Sequence, residues 1–432
     1  MREIQLGIVG LGTVGFGTLT ILAENADSIR KKLGFPLRVK AVCSLDAKSL
    51  KFPMSVPVVT EDWRDVVNDP DVDIVAELIG GTTVARSVVD SAIAAGKHVV
   101  TANKELVALD GVSIWHAARQ RGVTLAMEAS VCGGIPIHAV LREGIAGDRV
   151  EILFGILNGT SNYILTEIEK HGTPFAQVLA EAQRLGYAEA NPAADIEGFD
   201  ARNKLVLLAS LAFGVKAAPS AVATEGISRI SPIDFQYAAQ LGCTIKLLCS
   251  ARREGEGLFL SVRPALIPKD TIIASVNGSY NAVWCRGAFG ADTFYYGRGA
   301  GALPTGVAVT SDIMRLAREI QTSNGERVSP FAYTNVEEIE PQPIGHQKRP
   351  WYLRFRITDR PGIIASMAAV LADHEISIDS VLQIPSADKT NLPFVITLET
   401  TAESNVRSAV SKMAAFDFMV EPPLALPMEK GL

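Results

Sequence analysis

Glu189, Asp195, Glu197, Asp200 and Lys204 crowd one short stretch, Tyr187 to Ser210, directly ahead of an apolar run from Leu205 to Phe213. Asn191-Pro192 forbids a helix at that point and Gly198 loosens the backbone. The pattern therefore predicts a helix from about Phe199, with Asp200 and Lys204 one turn apart on one face. Burial lowers a lysine's pKa and a neighbouring carboxylate raises it, and a lysine balanced between the two exchanges protons near neutral pH. Acids at this density repel one another unless they meet a cation such as an ammonium group, so the stretch reads as a site for a small amino acid. A second reading of Asp200 and Lys204 stands beside it: a salt bridge on a helix surface. The apolar residues after the lysine and the acids before it weigh toward the site.

The elements that would hold such chemistry begin at the N-terminus. The strand Gln5 to Val9 runs into Gly10-Leu11-Gly12-Thr13-Val14-Gly15 and then a helical pattern. Strand, glycines and helix in that order form a dinucleotide fingerprint. Gly10 permits the tight turn, Gly12 lets a pyrophosphate approach the backbone, Gly15 allows close helix packing, and the helix N-terminus faces the phosphates. The second strand, Leu37 to Val42, leads to Cys43-Ser44-Leu45-Asp46, with Lys48 and Lys51 beyond. An acid there favours NAD and a cation favours NADP, and both are present. Further strands are expected over Val72–Ile79, Lys97–Thr101 and Val123–Met127, with a helix over Ala85–Ala95. Lys104 follows the strand Lys97–Thr101, at the edge where open α/β sheets bind ligands; a solvated loop lysine is the plainer alternative.

Glu128 precedes a turn rich in glycine and proline, Ala129 to Pro136. The turn reads as a hinge between domains, or as inward carbonyls beside one carboxylate that coordinate a monovalent cation. The region from about 137 to 300 changes character: a strand at Val150–Leu157, a polar loop Asn158-Gly159-Thr160-Ser161-Asn162, helices at Tyr163–His171 and Phe175–Leu185, and strands near Leu258–Leu266 and Ala282–Trp284. Gly297 to Gly306 is glycine-dense and leads into a helix, Val307–Gln321, as a second edge of a cofactor pocket or a plain connection back to the first domain. Residues 322–349 are polar with Pro341, Pro343 and Gly345, a linker. Beyond them, strand Trp351–Thr358, helix Ile363–His374, strands Ser377–Ile384 and Phe394–Thr400, helix Ser404–Met413 and strand Phe418–Glu421 give βαββαβ, the split-βαβ order. That module is poor in clustered polar groups and reads as regulatory.

The 432 residues, 48% hydrophobic and 20% charged, suffice for two or three cored domains. A net charge of −6 gives no sign of affinity for nucleic acid or membrane surfaces. No signal peptide is expected, and the longest apolar run is too short to span a bilayer. Five cysteines (Cys43, Cys132, Cys243, Cys249, Cys285) lie scattered without Cys-x-x-Cys, which predicts small buried hydrophobes in a reducing cytoplasm and no zinc site.

Taken together, GLGTVG, VVTANKELVA, EASVCGGIPI, NGTSNYIL, GYAEANPAADIEGFDARNKL, GRGAGALPTG and TDRPGII resemble the homoserine dehydrogenases that carry a C-terminal ACT domain, over nearly the whole chain. The resemblance implies an α/β chain in order: a Rossmann NAD(P)-binding domain (1–132, completed by helix 307–321), an α+β substrate and dimerisation domain (133–306), the linker 322–349, and a ferredoxin-like ACT domain (350–432). It implies reversible NAD(P)H-dependent reduction of L-aspartate 4-semialdehyde to L-homoserine, on the route to threonine, methionine and isoleucine. Lys204 would be the proton donor and Lys104 would lie between substrate and nicotinamide and share that role. Glu189 and Asp200 would bind substrate, with Asp195 in the same acidic loop. Thr13 and Val14 match the pyrophosphate turn, and Gly186 and Gly301 line the nicotinamide side. Glu128, Val131, Gly133 and Ile135 match a structural sodium site. The ACT domain implies an amino-acid effector such as threonine, and the chain would form a homodimer or homotetramer. No aspartokinase domain is expected. The chain departs from the family pattern at Cys43-Ser44, where a basic residue is common, at Asn191 for an aspartate, and at Cys132 for a glycine.

Overall fold

A computed structural model describes residues 2–322 and 329–431. They divide into two compact units: Met1–Leu153 with Asn203–Pro219 and Asn281–Ile339, and Phe154–Arg202 with Ser220–Tyr280 and Glu340–Leu432.

In the first unit, six strands pair into a sheet: β1 (Ile4–Val9), β2 (Leu37–Cys43), β3 (Val58–Thr60), β4 (Ile74–Glu77), β5 (His98–Thr101) and β6 (Leu125–Ala126), in the order β3-β2-β1-β4-β5-β6. Every pairing is parallel. Both faces are covered, which is why β4 and β5 are buried at every position. The order reverses at β1, so the carboxyl ends of β1 and β4 flank the crevice in which such sheets take ligands. Helix Ala302–Thr322 begins five residues before the expected Val307 and crosses helix Thr13–Glu24 at two glycines. A Cβ on Gly17 would stand 2.2 Å from the Ala302 carbonyl oxygen, and one on Gly306 2.9 Å from the Gly17 carbonyl carbon. Helices Ala26–Leu33, Trp63–Val67 and Lys104–Arg121 and the three-residue strand β3 were not anticipated.

In the second unit, Cys243–Glu254 and Gly257–Pro268 form a long antiparallel pair, with Ala223–Thr224 parallel to the second strand. The C-terminal module is a four-stranded sheet in the order Ile378–Leu382, Leu392–Ala402, Lys348–Ile357, Leu424–Pro427, covered by helices Ile363–Asp373 and Glu403–Ala414. The βαββαβ order stands, but the last strand is Leu424–Pro427 and not Phe418–Glu421. Phe418 is apolar because it is buried in the module core, stacked on Phe416 at 5.0 Å, and Met419 makes only an isolated bridge to Ile357. Pro422 and Pro423 lack the N–H that pairing needs, so the ladder starts after them. Of the expected linker 322–349, residues 323–328 lie outside the described residues; Glu337–Ile339 pairs in parallel with Val215–Ala217 in the first unit.

Two buried ion pairs fasten the module to the rest of its unit. Arg263 meets Glu403 through two contacts of 2.7 Å, and Arg354 lies 3.0 Å from Asp234. All five cysteines are buried and none is in a disulfide. Among the described residues, no helix is long and apolar enough to cross a membrane.

Candidate active site

The dinucleotide turn follows from its glycines. Gly10 has φ +103°, and a Cβ there would stand 2.5 Å from the Leu78 backbone. A Cβ on Gly15 would stand 2.0 Å from the Gly10 carbonyl oxygen, so the helix can sit on the turn only with glycine. Gly12 is the N-cap of helix Thr13–Glu24, contributes no side-chain cap, and has nothing within 4 Å of where its Cβ would lie. Open space above first-turn amides, beside Thr13 and Val14, fits a pyrophosphate.

The neighbouring strand ends carry a network that sequence reading missed. Glu77, fully buried at the end of β4, accepts hydrogen bonds from the Ile79 amide (2.9 Å), the Gly80 amide (3.3 Å) and the Thr101 hydroxyl (2.7 Å). Burial pushes its carboxyl above the ordinary range. Thr101 Oγ1 accepts from the Asn103 amide, and Asn103 donates to the Gly81 carbonyl and caps the Leu106 amide. The expected loop lysine, Lys104, is thereby the first residue of helix Lys104–Arg121. Gly301 (φ +128°) stands immediately before helix Ala302–Thr322 and accepts from the Thr305 amide.

Glu128 is buried, its carboxylate oxygens accepting from the His138 amide (2.9 Å) and the Ala139 amide (2.8 Å). Its own amide donates to Asp312 at 2.8 Å. Burial, helped by Asp312, raises the Glu128 pKa to about 7. Cys132 (φ +57°) and Gly133 (φ +39°) turn the chain between Val131 and Ile135. A Cβ on Gly133 would stand 2.8 Å from the Gly299 carbonyl oxygen. Among the described residues, no group of three or more His, Cys, Asp or Glu side chains is placed to hold a metal ion.

Strand Val150–Ile156 delivers Asn158, the N-cap of helix Gly159–His171 in the second unit. Its Oδ1 accepts from the Ser161 amide at 2.8 Å, and its Nδ2 donates to Asp195 Oδ1 at 2.7 Å and Asp200 Oδ2 at 2.9 Å. One amide thus gathers two carboxylates and uses both its donor hydrogens. Ser161 Oγ holds the Asp195 carbonyl at 2.8 Å, and Thr160 Oγ1 the Tyr187 carbonyl at 2.6 Å. Gly186 (φ +78°) closes the helix Phe175–Arg184 and starts the acidic loop. Glu189 stays exposed, its carbonyl accepting from Gln183 Nε2 at 3.0 Å. Gly198 (φ +80°) turns the chain into helix Phe199–Phe213, which begins at the expected residue. Asp200 and Lys204, 7% and 8% exposed, are both buried, which excludes the surface salt bridge. Asn158 thus gathers Asp195 and Asp200, and Lys204 follows Asp200 by one turn of the same helix; Lys204, like Lys104, is counted in the first unit. The signal that could have found Asn158 is Asn-Gly at a strand end with Ser three residues on, an N-cap pattern.

Three family models match in chain order: "Homoserine dehydrogenase, NAD binding domain" over residues 10–128, "Homoserine dehydrogenase" over 136–314, and "ACT domain" over 351–417. The homoserine dehydrogenase of Neisseria gonorrhoeae is 41% identical over 431 residues, 99% of each chain, and that of Pseudomonas aeruginosa 40% over 433 residues, 100% of each. The crystal structure of a homoserine dehydrogenase from Thiobacillus denitrificans superposes with a TM-score of 0.91 at 43% identity, covering 99% of both chains. With an NAD-binding sheet, a catalytic region and an ACT module in one order and matched end to end, the chain belongs to the homoserine dehydrogenase family of oxidoreductases.

Proposed function

We propose that this chain reversibly reduces L-aspartate 4-semialdehyde to L-homoserine, on the route to threonine, methionine and isoleucine, with Lys204 as the proton donor. The observation that carries the reading is the pair Asp195–Asp200 held by Asn158, with Asp200 one helical turn before a buried lysine. Asp200, Asp195 and Glu189 take the substrate's ammonium group and orient the aldehyde. Gly10, Gly12, Thr13, Val14 and Gly15 hold the dinucleotide's pyrophosphate, and Gly186, Gly301 and Lys104 border its nicotinamide. When bound, the nicotinamide supplies or accepts the hydride. Lys204 gives its ammonium proton to the aldehyde oxygen in reduction and takes the hydroxyl proton in oxidation, with Lys104 sharing the oxygen. Placing these groups converts a bimolecular encounter into one within a single complex.

Glu128, with the carbonyls of Val131, Gly133 and Ile135, holds a sodium ion in a structural role. Two buried carboxylates, Glu128 and Asp312, both held above the ordinary range by burial, support a cation there. Asp46, which accepts from the Ser44 hydroxyl at 2.6 Å, and Lys48, ion-paired with Glu61 at 3.4 Å, both follow β2, so acid and cation alike stand where NAD and NADP are told apart. The ACT module binds an amino acid, threonine foremost, and feeds back on turnover. Its outer strand Ile378–Leu382 leaves Ile378 and Val381 exposed, which supports a homodimer or homotetramer. Buried cysteines outside any disulfide support a cytoplasmic setting.

The test is cofactor oxidation with L-aspartate 4-semialdehyde, run in parallel with NADH and NADPH, with and without L-threonine. Turnover slowed by threonine is expected. Folded protein that binds a cofactor and turns over nothing would overturn the reading in favour of an amino-acid sensor.

A further inference from the structure

A cavity of about 400 Å³ opens in the second unit, and its walls come from two functional regions. Glu197 of the acidic loop and Phe199 at the start of the next helix line one side, Arg407 and Ser411 of the module helix Glu403–Ala414 another, and Glu225 and Arg229 a further wall. Its size is that of a small-molecule site.

The charges in it are unevenly used. Arg407 is spent on two carboxylates: it pairs with Glu225 and, at 3.0 Å, with Glu403. Arg229 gives one guanidinium nitrogen to the carbonyls of Pro422 (2.6 Å) and Pro423 (3.0 Å), and nothing among the described residues engages the rest of its fork. The Glu197 carboxylate, half-buried, meets no donor among the described residues. It rests over Gly226, where a Cβ would stand 2.5 Å from Glu197 Oε2. A carboxylate without a donor and a guanidinium with donors to spare line one cavity. They complement the ammonium and the carboxylate of a single small molecule.

We infer that this cavity binds a small zwitterionic L-α-amino acid, ammonium to Glu197 and carboxylate to Arg229, and that its occupancy is felt at Asp195 and Asp200. The connection is short. Glu197 lies between those two residues in the chain, and the Ile227 amide holds the Ile196 carbonyl at 2.8 Å. Gly226 leaves no room for the loop to move inward, and Glu225 next to it pairs with Arg407 of the module. A ligand that draws Glu197 toward itself shifts the loop whose other carboxylates are held by Asn158. The sense of the effect, inhibition, rests on the regulatory reading of the module; the existence of the site does not.

The experiment uses the full chain and two variants, Ser411→Phe, which fills the cavity from an exposed helix position, and Glu197→Gln, which removes the ammonium's partner at constant size. Each protein is titrated calorimetrically with a panel of proteinogenic L-amino acids including L-threonine, with L-threoninamide and N-acetyl-L-threonine as controls lacking one charge, and turnover is measured with the same panel. At least one amino acid is expected to bind the wild type, with both variants and both kinds of one-charge derivative weaker by about tenfold or more, the cost of a lost charged hydrogen bond. Ser411→Phe is expected to keep wild-type turnover. An amino acid that binds Ser411→Phe as tightly as wild type would overturn the site while the regulatory reading stands. Binding that the variants abolish, but without any effect on turnover, would uphold the site and overturn the regulatory reading. No binding by the wild type of any member of the panel would overturn the site outright.

Discussion

Glu77 is cut off from solvent, yet it governs where Lys104 begins its helix. Three donors converge on its carboxylate, and one of them, Thr101, passes the constraint to Asn103, the cap of that helix. A carboxylate accepts all three bonds; a carboxamide must turn its NH2 toward one of these donors. Glu77→Gln should therefore leave a buried donor unsatisfied, a cost of about 1–3 kcal/mol. We expect it to lower kcat/KM for aspartate semialdehyde about tenfold, while Glu77→Asp recovers part of the loss. Wild-type kcat/KM in a folded Glu77→Gln enzyme would break the chain from Glu77 to Lys104. Such residues are hard to read from sequence, because Glu77 sits in what looks like a plain apolar strand and its partner Thr101 lies 24 residues on. The burial of Lys204 was legible because its surroundings are local: an acid one turn before it and an apolar run after it.

The acidic loop is shaped by what packs beneath it. Gly226 faces Glu197 and the Ile196 carbonyl oxygen, and a Cβ there would stand 2.5 Å from each. A side chain can swing away, but a backbone carbonyl takes its loop with it. Gly226→Ala should displace residues 195–198 and raise KM for aspartate semialdehyde severalfold or more, with cofactor affinity unchanged. An unchanged KM would mean that the loop's position does not limit substrate binding. At this scale the helix Phe199–Phe213 was readable, since Gly198 and the apolar run mark its start. Asn158 was not, because the carboxylates it gathers lie 37 and 42 residues away. The last strand was misplaced for a related reason: apolarity at Phe418 reports burial, and only pairing, which two prolines delay, defines a strand.

For the whole molecule, the order of domains was legible from motifs, since each fills a complete βα or βαββαβ pattern. The polar groups that fasten them were not. Arg263–Glu403 and Arg354–Asp234 join residues more than a hundred positions apart. Lys246, 1% exposed, is a buried polar group within one region: it donates to the Val276 carbonyl at 2.7 Å and to Asn277 Oδ1 at 2.9 Å. Burial lowers its pKa from 10.5 to about 8. Between those values the unfolded chain carries a proton that the folded chain has released, so this group's contribution to stability rises with pH there and is lost as pH falls through about 8. Denaturant melts from pH 7.5 to 10.5 should show Lys246→Met lacking a rise of at most about 3 kcal/mol that wild type has. Parallel pH dependences in the two proteins would contradict this.

The central claim is that Lys204 moves the proton while the bound nicotinamide moves the hydride. The measurement that tests it most directly is kcat for aspartate semialdehyde reduction by Lys204→Ala, alongside cofactor affinity by fluorescence titration. We expect kcat to fall by about 10²–10⁴, the usual contribution of general acid catalysis, with cofactor affinity unchanged. A variant that binds cofactor normally and turns over within severalfold of wild type would contradict the account.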